Sequence, residues 1–393
     1  MNYIKNQKDL DGKVALLRLD LNVPIKNCKI TDETRINKIL PIFEHLLRTK
    51  SRIVVISHIG RPEGKQNKSL SLKPVCENLE KKLNKKVKLI SESIFNLTRK
   101  SLFSYSKDEI IFLENIRFYE GEEKNDNDFS KHLASLGDLY INDAFSCSHR
   151  SHASVCKITK FLPSYIGLQF ETELNALKKV TTNIQKPVTC IIGGSKISTK
   201  ISVIKNLITR FDNMVIVGGM ANNILKYKGY TIGKSIQEDN CEEIVKEIFK
   251  YSKKNSCSLI FPDDVVVSKN MEGDPKIKEL NEIKNDDLIL DIGPKTTNKI
   301  NNVIEKSKTI LWNGPAGYFE NPNFAKGSFE IGKKITEKSK LNEIFAVAGG
   351  GDTVALLNNM GIFNSFNFIS TAGGAFLEYL EGKELPGIKA LGQ

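Results

Sequence analysis

Short apolar runs recur along this 393-residue chain, each closed by a loop rich in glycine, arginine or asparagine. Helical stretches separate them. The clearest run is Ile344–Ala348, which ends in Gly349-Gly350-Gly351-Asp352-Thr353 and continues as Val354-Ala355-Leu356-Leu357. A continuous apolar run is the pattern of a strand buried on both faces. Strands of that kind alternating with helices specify an α/β fold with a parallel, doubly wound sheet. Such sheets bind ligands beyond the carboxyl ends of their strands. The loops that close the runs are therefore where chemistry is expected.

In the first half, Val14–Asp20 leads into Asn22-Val23-Pro24, and Arg52–Ser57 leads into His58-Ile59-Gly60-Arg61-Pro62. Val87–Ile90 is a further short strand. Ile110–Leu113 leads into Glu114-Asn115-Ile116-Arg117-Phe118. Leu139–Asn142 leads into Asp143-Ala144-Phe145-Ser146 and then Ser148-His149-Arg150-Ser151-His152. Helices are expected near Leu72–Leu83 and Asp126–Leu136. Arg35 falls in a helical segment that Thr31-Asp32 can cap, and Pro41 is expected to restart a second helix running to about Thr49.

Charge sharpens this pattern. The formal net charge is +12, from 58 basic residues against 46 acidic ones. Only nine of the 58 are arginine, and eight of these precede residue 151. In a chain that so favours lysine, clustered arginines point to a need for the planar fork, which grips carboxylate or phosphate at two points.

Glu171–Thr182 reads as a helix with no loop chemistry on either side, a connector between halves. After Pro187 the alternation restarts with glycines in place of arginines. Val188–Ile192 gives way to Gly193-Gly194-Ser195-Lys196-Ile197-Ser198-Thr199-Lys200, and Met214–Val217 to Gly218-Gly219. Leu288–Ile292 leads into Gly293-Pro294, and Thr309–Trp312 into Asn313-Gly314-Pro315-Ala316-Gly317-Tyr318-Phe319-Glu320. Asn367–Ile369 precedes Ser370-Thr371-Ala372-Gly373-Gly374, which opens a last helix. Three glycines at a strand-to-helix turn bare the backbone N–H groups at a helix N-terminus, which suits phosphate. Asp352 then sets a carboxylate where a phosphate-bound Mg²⁺ would lie. Lys196 and Lys200, one helical turn apart, suit a phosphate chain.

Other chemistries find no footing. Gly229–Ser235 (GYTIGKS) resembles a P-loop but has three residues between its glycines where four are required. His58, His149 and His152 lack metal-ligand spacing, and Ser146 lacks the glycines of a nucleophile elbow. Seven scattered cysteines contain no C-x-x-C pair. The length predicts two domains. No signal-peptide core and no bilayer-length apolar run is evident, so the expectation is a cytoplasmic protein with no membrane partner.

Taken together, Arg18-x-Asp20-x-Asn22-Val23-Pro24, Asp32-x-x-Arg35-Ile36, Ser57-His58-x-Gly60-Arg61-Pro62, Glu114-Asn115-x-Arg117-Phe118, Asn142-Asp143-Ala144-Phe145 and His149-Arg150-x-His152-Ala153-Ser154 resemble the phosphoglycerate kinase family. So do Gly193-Gly194-x-Lys196-x-x-x-Lys200, Gly314-Pro315-x-Gly317-x-Phe319-Glu320, Gly349–Thr353 and the Gly373-Gly374 turn, all in family order. The resemblance runs from near the first residue to the last. It implies reversible phosphoryl transfer from 1,3-bisphosphoglycerate to ADP, giving 3-phosphoglycerate and MgATP. It implies two Rossmann-like domains joined by a helix and hinge. Residues 1–170 would bind phosphoglycerate and 171–380 the Mg-nucleotide, with 381–393 returning to the first domain.

The resemblance assigns Asp20, Leu21, Asn22, Arg35, His58, Ile59, Gly60, Arg61, Arg117 and Arg150 to phosphoglycerate. It assigns Lys200, Glu320, Gly349, Gly350, Gly351, Asp352 and Thr353 to the nucleotide, with Asp352 facing Mg²⁺. Arg35, Lys196, Gly373 and Gly374 would surround the phosphoryl group in flight. The family often has three glycines where this chain has Ala372-Gly373-Gly374. The implied enzyme is a monomer without a nucleic-acid partner. A basic nucleic-acid-binding protein is the alternative from another class. It predicts aromatics interleaved with basic residues or a known reader module, and neither appears.

Overall fold

The computed structural model describes residues 1–103 and 109–392. Residue 393, the last of the expected returning tail, lies outside the described residues. The chain forms two compact units, Met1–Asn175 with Glu384–Gln393, and Ala176–Lys383.

The first unit is built on a six-stranded sheet in the order Val87–Ile90, Ile110–Leu113, Arg52–Ile56, Val14–Leu19, Leu139–Asp143 and Ser164–Ile166. Every pairing is parallel. All six residues of the central strand Val14–Leu19 are buried, which is why it reads as an unbroken apolar run apart from Arg18. Helix Thr34–Arg48 lays Ile36, Ile39, Ile42, Phe43 and Leu46 against Leu17, Val55 and Ile141. Each such side chain contributes roughly 1.5–3 kcal/mol when fully buried. Strand order reverses between Val14–Leu19 and Leu139–Asp143, so the loops after these two strands flank the crevice that this topology opens.

In the second unit the parallel sheet runs Ser258–Ile260, Asn213–Ile216, Val188–Ile192, Thr309–Asn313, Phe345–Gly349 and Phe368–Ser370. Its reversal falls between Val188–Ile192 and Thr309–Asn313. Trp312, Ile191, Val215, Ala346 and Leu356 lie in its core.

Three expectations are corrected. Pro41 starts no second helix, because Thr34–Arg48 runs through it. Pro41 lies on the exposed side, so the bond it cannot make faces water while the apolar stripe opposite holds the helix together. Leu288–Ile292 is a strand, but of a separate antiparallel sheet with Lys276–Glu279 and Asp264–Ser268. Lys196 and Lys200 do not open one regular helix side by side. A 3-10 turn, Ser198–Lys200, precedes helix Ile201–Ile208, Lys196 is exposed and Lys200 is tucked inward.

The expected connector is helix Leu168–Thr181, and the boundary between the units falls within it. Its first turn is held by the buried carboxylate of Asp143, which accepts from Phe170 N at 2.8 Å. At the other end of the chain, helix Pro386–Leu391 packs on the first unit, with Gly387 N donating to Ser148 O at 2.8 Å.

Candidate functional site

In the first unit the charged loops meet at the strand-order reversal. Arg35 Nη1 reaches Asp20 Oδ2 at 2.5 Å and Asn22 O at 3.2 Å. Ser146, from the loop across the crevice, donates to the same Asp20 oxygen. Asn22 Oδ1 accepts from Gly60 N at 3.0 Å, and Arg117 Nη1 donates to Gly60 O at 2.9 Å. Asn115 Nδ2 holds Ile59 O at 2.7 Å and Leu70 O at 3.0 Å. These bonds tie the Asp20, His58 and Arg117 loops into one surface. The side chains of Leu21 and Ile59 are buried. Leu21 N is held by Ser57 Oγ and Ile59 O by Asn115.

Arg61 and Arg150 are exposed, Arg35 and Arg117 half-buried, and Arg18 fully buried. His58 is buried among them, and burial, then Arg18, Arg117 and Arg35, hold its basicity well below the ordinary range. Burial first, then Arg117 and Arg18, lowers His152 to about 3. Both rings are therefore neutral at physiological pH. Asp20, His58 and Cys147 bring ligand atoms within 4.8 Å of one another. A metal ion there would face the guanidinium groups that already touch these residues, Arg18 on His58 and Arg35 on Asp20. The electrostatics favour an anion instead.

In the second unit the glycines serve close approach. A Cβ on Gly193 would lie 2.2 Å from Pro315 O, and one on Gly314 2.3 Å from Gly193 O. The two strand ends at the reversal thus touch backbone to backbone. Lys200 turns back onto them, donating to Gly193 O at 2.6 Å and Asn313 Oδ1 at 2.7 Å. Asn313 Nδ2 then holds Gly349 O at 2.6 Å, and Thr353 Oγ1 accepts from Gly314 N at 2.7 Å. Gly350 caps helix Gly351–Asn359 at a φ of 98°, a conformation that favours glycine. Helix, glycine turn and lysine form one bonded array.

Beside this array lies a cleft of about 470 Å³, lined by Gly194, Gly219, Ile236, Leu290, Pro315, Phe319, Glu320 and Asp352. Its walls are mostly apolar, with Glu320 and Asp352 exposed at the rim. Asp291, buried beneath, accepts from Gly327 N at 2.7 Å, and a Cβ on Gly317 would meet its carboxylate at 2.5 Å. Burial pushes that carboxyl up to about 7. Gly373, at a φ of 51°, caps helix Gly374–Leu380. Ala372 is not among the positive-φ residues, so alanine there is unstrained.

Sequence reasoning did not single out Asn313, Asn115 or Asp291, and weighed Ser146 only as a nucleophile. Asn115 stood in a quoted motif, and Asn313 followed a strand. The bonds that give these residues their importance are all to distant segments.

A crevice lined with arginines on one parallel sheet, and a glycine-and-lysine array beside a cleft on another, define a two-unit α/β kinase. A sequence model described as phosphoglycerate kinase matches residues 4–383. The phosphoglycerate kinase of Orientia tsutsugamushi (strain Ikeda) is 44% identical over 384 residues, covering 97% of this chain and 95% of its own. That of Wolbachia sp. subsp. Brugia malayi (strain TRS) is 43% identical over 385 residues, covering 98% and 96%. A solved phosphoglycerate kinase from Coxiella burnetii superposes with a TM-score of 0.92 at 36% identity, covering 100% of this chain and 98% of that one. The chain belongs to the phosphoglycerate kinase family, glycolytic enzymes that pass a phosphoryl group between 1,3-bisphosphoglycerate and ADP. Nothing among these relatives supports the nucleic-acid-binding alternative. Among the described residues no helix is long and apolar enough to cross a membrane.

Proposed function

We propose that 3-phosphoglycerate and 1,3-bisphosphoglycerate bind at the arginine crevice of the first unit and MgADP or MgATP at the glycine array of the second. The observation that carries this reading is the Lys200–Asn313–Gly349 bridge, which sets a lysine and a helix N-terminus side by side at a strand-order reversal. In the crevice, Asp20, Asn22, Arg35, His58, Arg61, Arg117 and Arg150 hold the phosphoglycerate, with Leu21, Ile59 and Gly60 shaping the loop. In the array, Lys200 and the N–H groups of Gly349–Thr353 hold the phosphates and Glu320 the ribose. Asp352 suits Mg²⁺, an ion commonly held by one or two carboxylates together with substrate phosphates. It would there neutralise phosphate charge.

The acceptor is a carboxylate, already ionised at neutral pH, so no general base is required. The residues align the two ligands and balance charge on the oxygens in flight, a task for Arg35, Lys196 and the Gly373-Gly374 turn. Coupled turnover of 3-phosphoglycerate with MgATP tests the whole reading. Absence of turnover in folded protein would overturn it. We further propose a cytoplasmic monomer.

Two expectations follow. Direct in-line transfer needs reacting atoms about 3–3.5 Å apart, so ligands held on separate units must be brought together by a hinge. The radius of gyration measured by small-angle scattering should fall on adding 3-phosphoglycerate with a MgATP analogue, and fall less with either alone. An unchanged radius, with an unchanged distance between probes on the two units, would sink closure.

The second expectation concerns Lys200, which burial lowers to about 8, against the opposing pull of Cys190 and Asp352. Its charge is present below that pH and lost above it. The KM for MgADP should therefore rise as pH passes upward through about 8. Stability should move the other way. Between about 8 and the ordinary 10.5 the unfolded chain holds the extra proton, so stability should increase with pH. A nucleotide KM that stays flat across this window would remove Lys200 from the phosphates.

A further inference from the structure

Arg18 lies in the central strand of the first unit and is 0% exposed, so it cannot touch a ligand in the crevice. Its donors are committed inside the protein. Nε donates to Ser154 Oγ at 2.9 Å, Nη1 to Leu19 O, and Nη2 reaches His58 Nδ1 at 3.2 Å. Behind it, Glu122, also 0% exposed, accepts from Ser154 Oγ at 2.6 Å and Ser154 N at 2.8 Å. Glu122, Ser154, Arg18 and His58 thus form a bonded chain from the core to the crevice.

The direction of that chain fixes a proton. A guanidinium has no acceptor, so His58 Nδ1 must offer its lone pair to Arg18. A neutral imidazole then carries its one proton on Nε2. Among the described residues, no side chain or backbone group bonds Nε2. We propose that Arg18 is a positioning residue that holds His58 as the Nε2–H tautomer, so that His58 offers a fixed N–H donor to the anion in the crevice. The choice of anion rests on the phosphoglycerate reading above; the tautomer does not.

Burial and the cationic groups facing His58 oppose a second proton and outweigh the Asp20 carboxylate, which lies with Cys147 within 4.8 Å of the ring and would favour one. Arg18 comes from the central strand, Arg35 from the helix across it, Arg117 from the turn beyond the Ile110–Leu113 strand, and His152 from its own loop. Burial works against the charge of Arg18 while Cys147 and Glu122 favour it, and a guanidinium keeps its proton even in the core.

The test is ¹⁵N spectroscopy of the intact, ligand-free protein labelled at histidine, with His58→Asn used to assign the ring. The expected result is a neutral, Nε2-protonated His58 across about pH 6 to 8, where an exposed histidine titrates. An imidazolium or an Nδ1-protonated ring would overturn the proposal. In Arg18→Met the tautomer preference should be lost and the KM for 3-phosphoglycerate should rise about 10–100-fold, with a smaller change in kcat. Arg18→Lys, which keeps a donor, should recover part of it. An unchanged His58 spectrum in folded Arg18→Met would also overturn the proposal. If that variant fails to fold, the wild-type spectrum decides. Adding 3-phosphoglycerate to the wild type should shift the Nε2–H signal. The expected tautomer without that shift supports the role of Arg18 and sinks the phosphoglycerate reading of the crevice.

Discussion

Arg35→Lys should lower kcat/KM for phosphoryl transfer by about 30-fold to several thousandfold, although the charge is kept. The range corresponds to about 2–5 kcal/mol for losing one partner of a partly buried charged contact. Arg35 stands in the first turn of helix Thr34–Arg48 and spends Nη1 on Asp20 and on the carbonyl of Asn22. That geometry directs the planar fork, and an ammonium on a flexible stem cannot reproduce it. Asp20 would keep its bond from Ser146, so the loop should survive. Thermal unfolding should move little. Calorimetry of 3-phosphoglycerate binding would divide the loss between ground state and transition state. Near-normal kinetics in the lysine variant would show that charge alone suffices and that the fork is dispensable.

How far the sequence carries such an argument depends on the range of the interactions involved. Val14–Leu19 and Val188–Ile192 were legible because both faces of each strand are buried, and burial on both faces leaves a nearly continuous apolar run, broken only by Arg18 in the first and Thr189 in the second. Leu288–Ile292 has a similar run, broken by Asp291, yet the strand it pairs with, Asp264–Ser268, is antiparallel to it. A run of apolar residues does not encode the direction of its neighbour. One of its sheet mates, Lys276–Glu279, is exposed or half-buried and mostly charged, so it carries no strand signal at all. Pro41 misled for the opposite reason. The local rule for proline is sound, but a missing bond on the solvent side is outweighed by five buried side chains on the other.

The same contrast divides the site. Glycine turns were visible because positive φ and backbone contact demand glycine locally, as at Gly350 and Gly314. Asn313 was not, since its importance lies in joining Lys200 to Gly349 across three strand ends. Arg18 shows the limit from another side. Its motif sits among the arginines of the crevice, but its place inside a fully buried strand turns it away from any ligand. Alternation along the strand does not reveal this when both faces are covered.

Asp352→Asn should reduce kcat/KM for the Mg-nucleotide by about 100-fold or more, about 2.7 kcal/mol, while leaving the KM for 3-phosphoglycerate within about twofold. Asp352 is exposed at the rim of the second unit's cleft, in the first turn of helix Gly351–Asn359. Its loss should cost the fold little. A charge in the first helical turn contributes about 0.3–1 kcal/mol, and exposed substitutions otherwise stay within about 0.5 kcal/mol. The effect on Mg²⁺ is of another order. A carboxylate oxygen is a hard anionic ligand, whereas the amide offers one neutral oxygen. Raising Mg²⁺ should therefore restore part of the activity of the variant, since on the proposed role of Asp352 the weakened step would be metal capture by the nucleotide site. Binding titrations of each ligand alone separate the outcomes. Equal losses for both ligands would mean a disturbed fold. A loss for the nucleotide that Mg²⁺ does not relieve would mean that Asp352 acts on the phosphates or on Lys200 and not on the metal. Unchanged nucleotide kinetics would free Asp352 from the site altogether and leave the glycine turn to hold phosphate by its backbone alone.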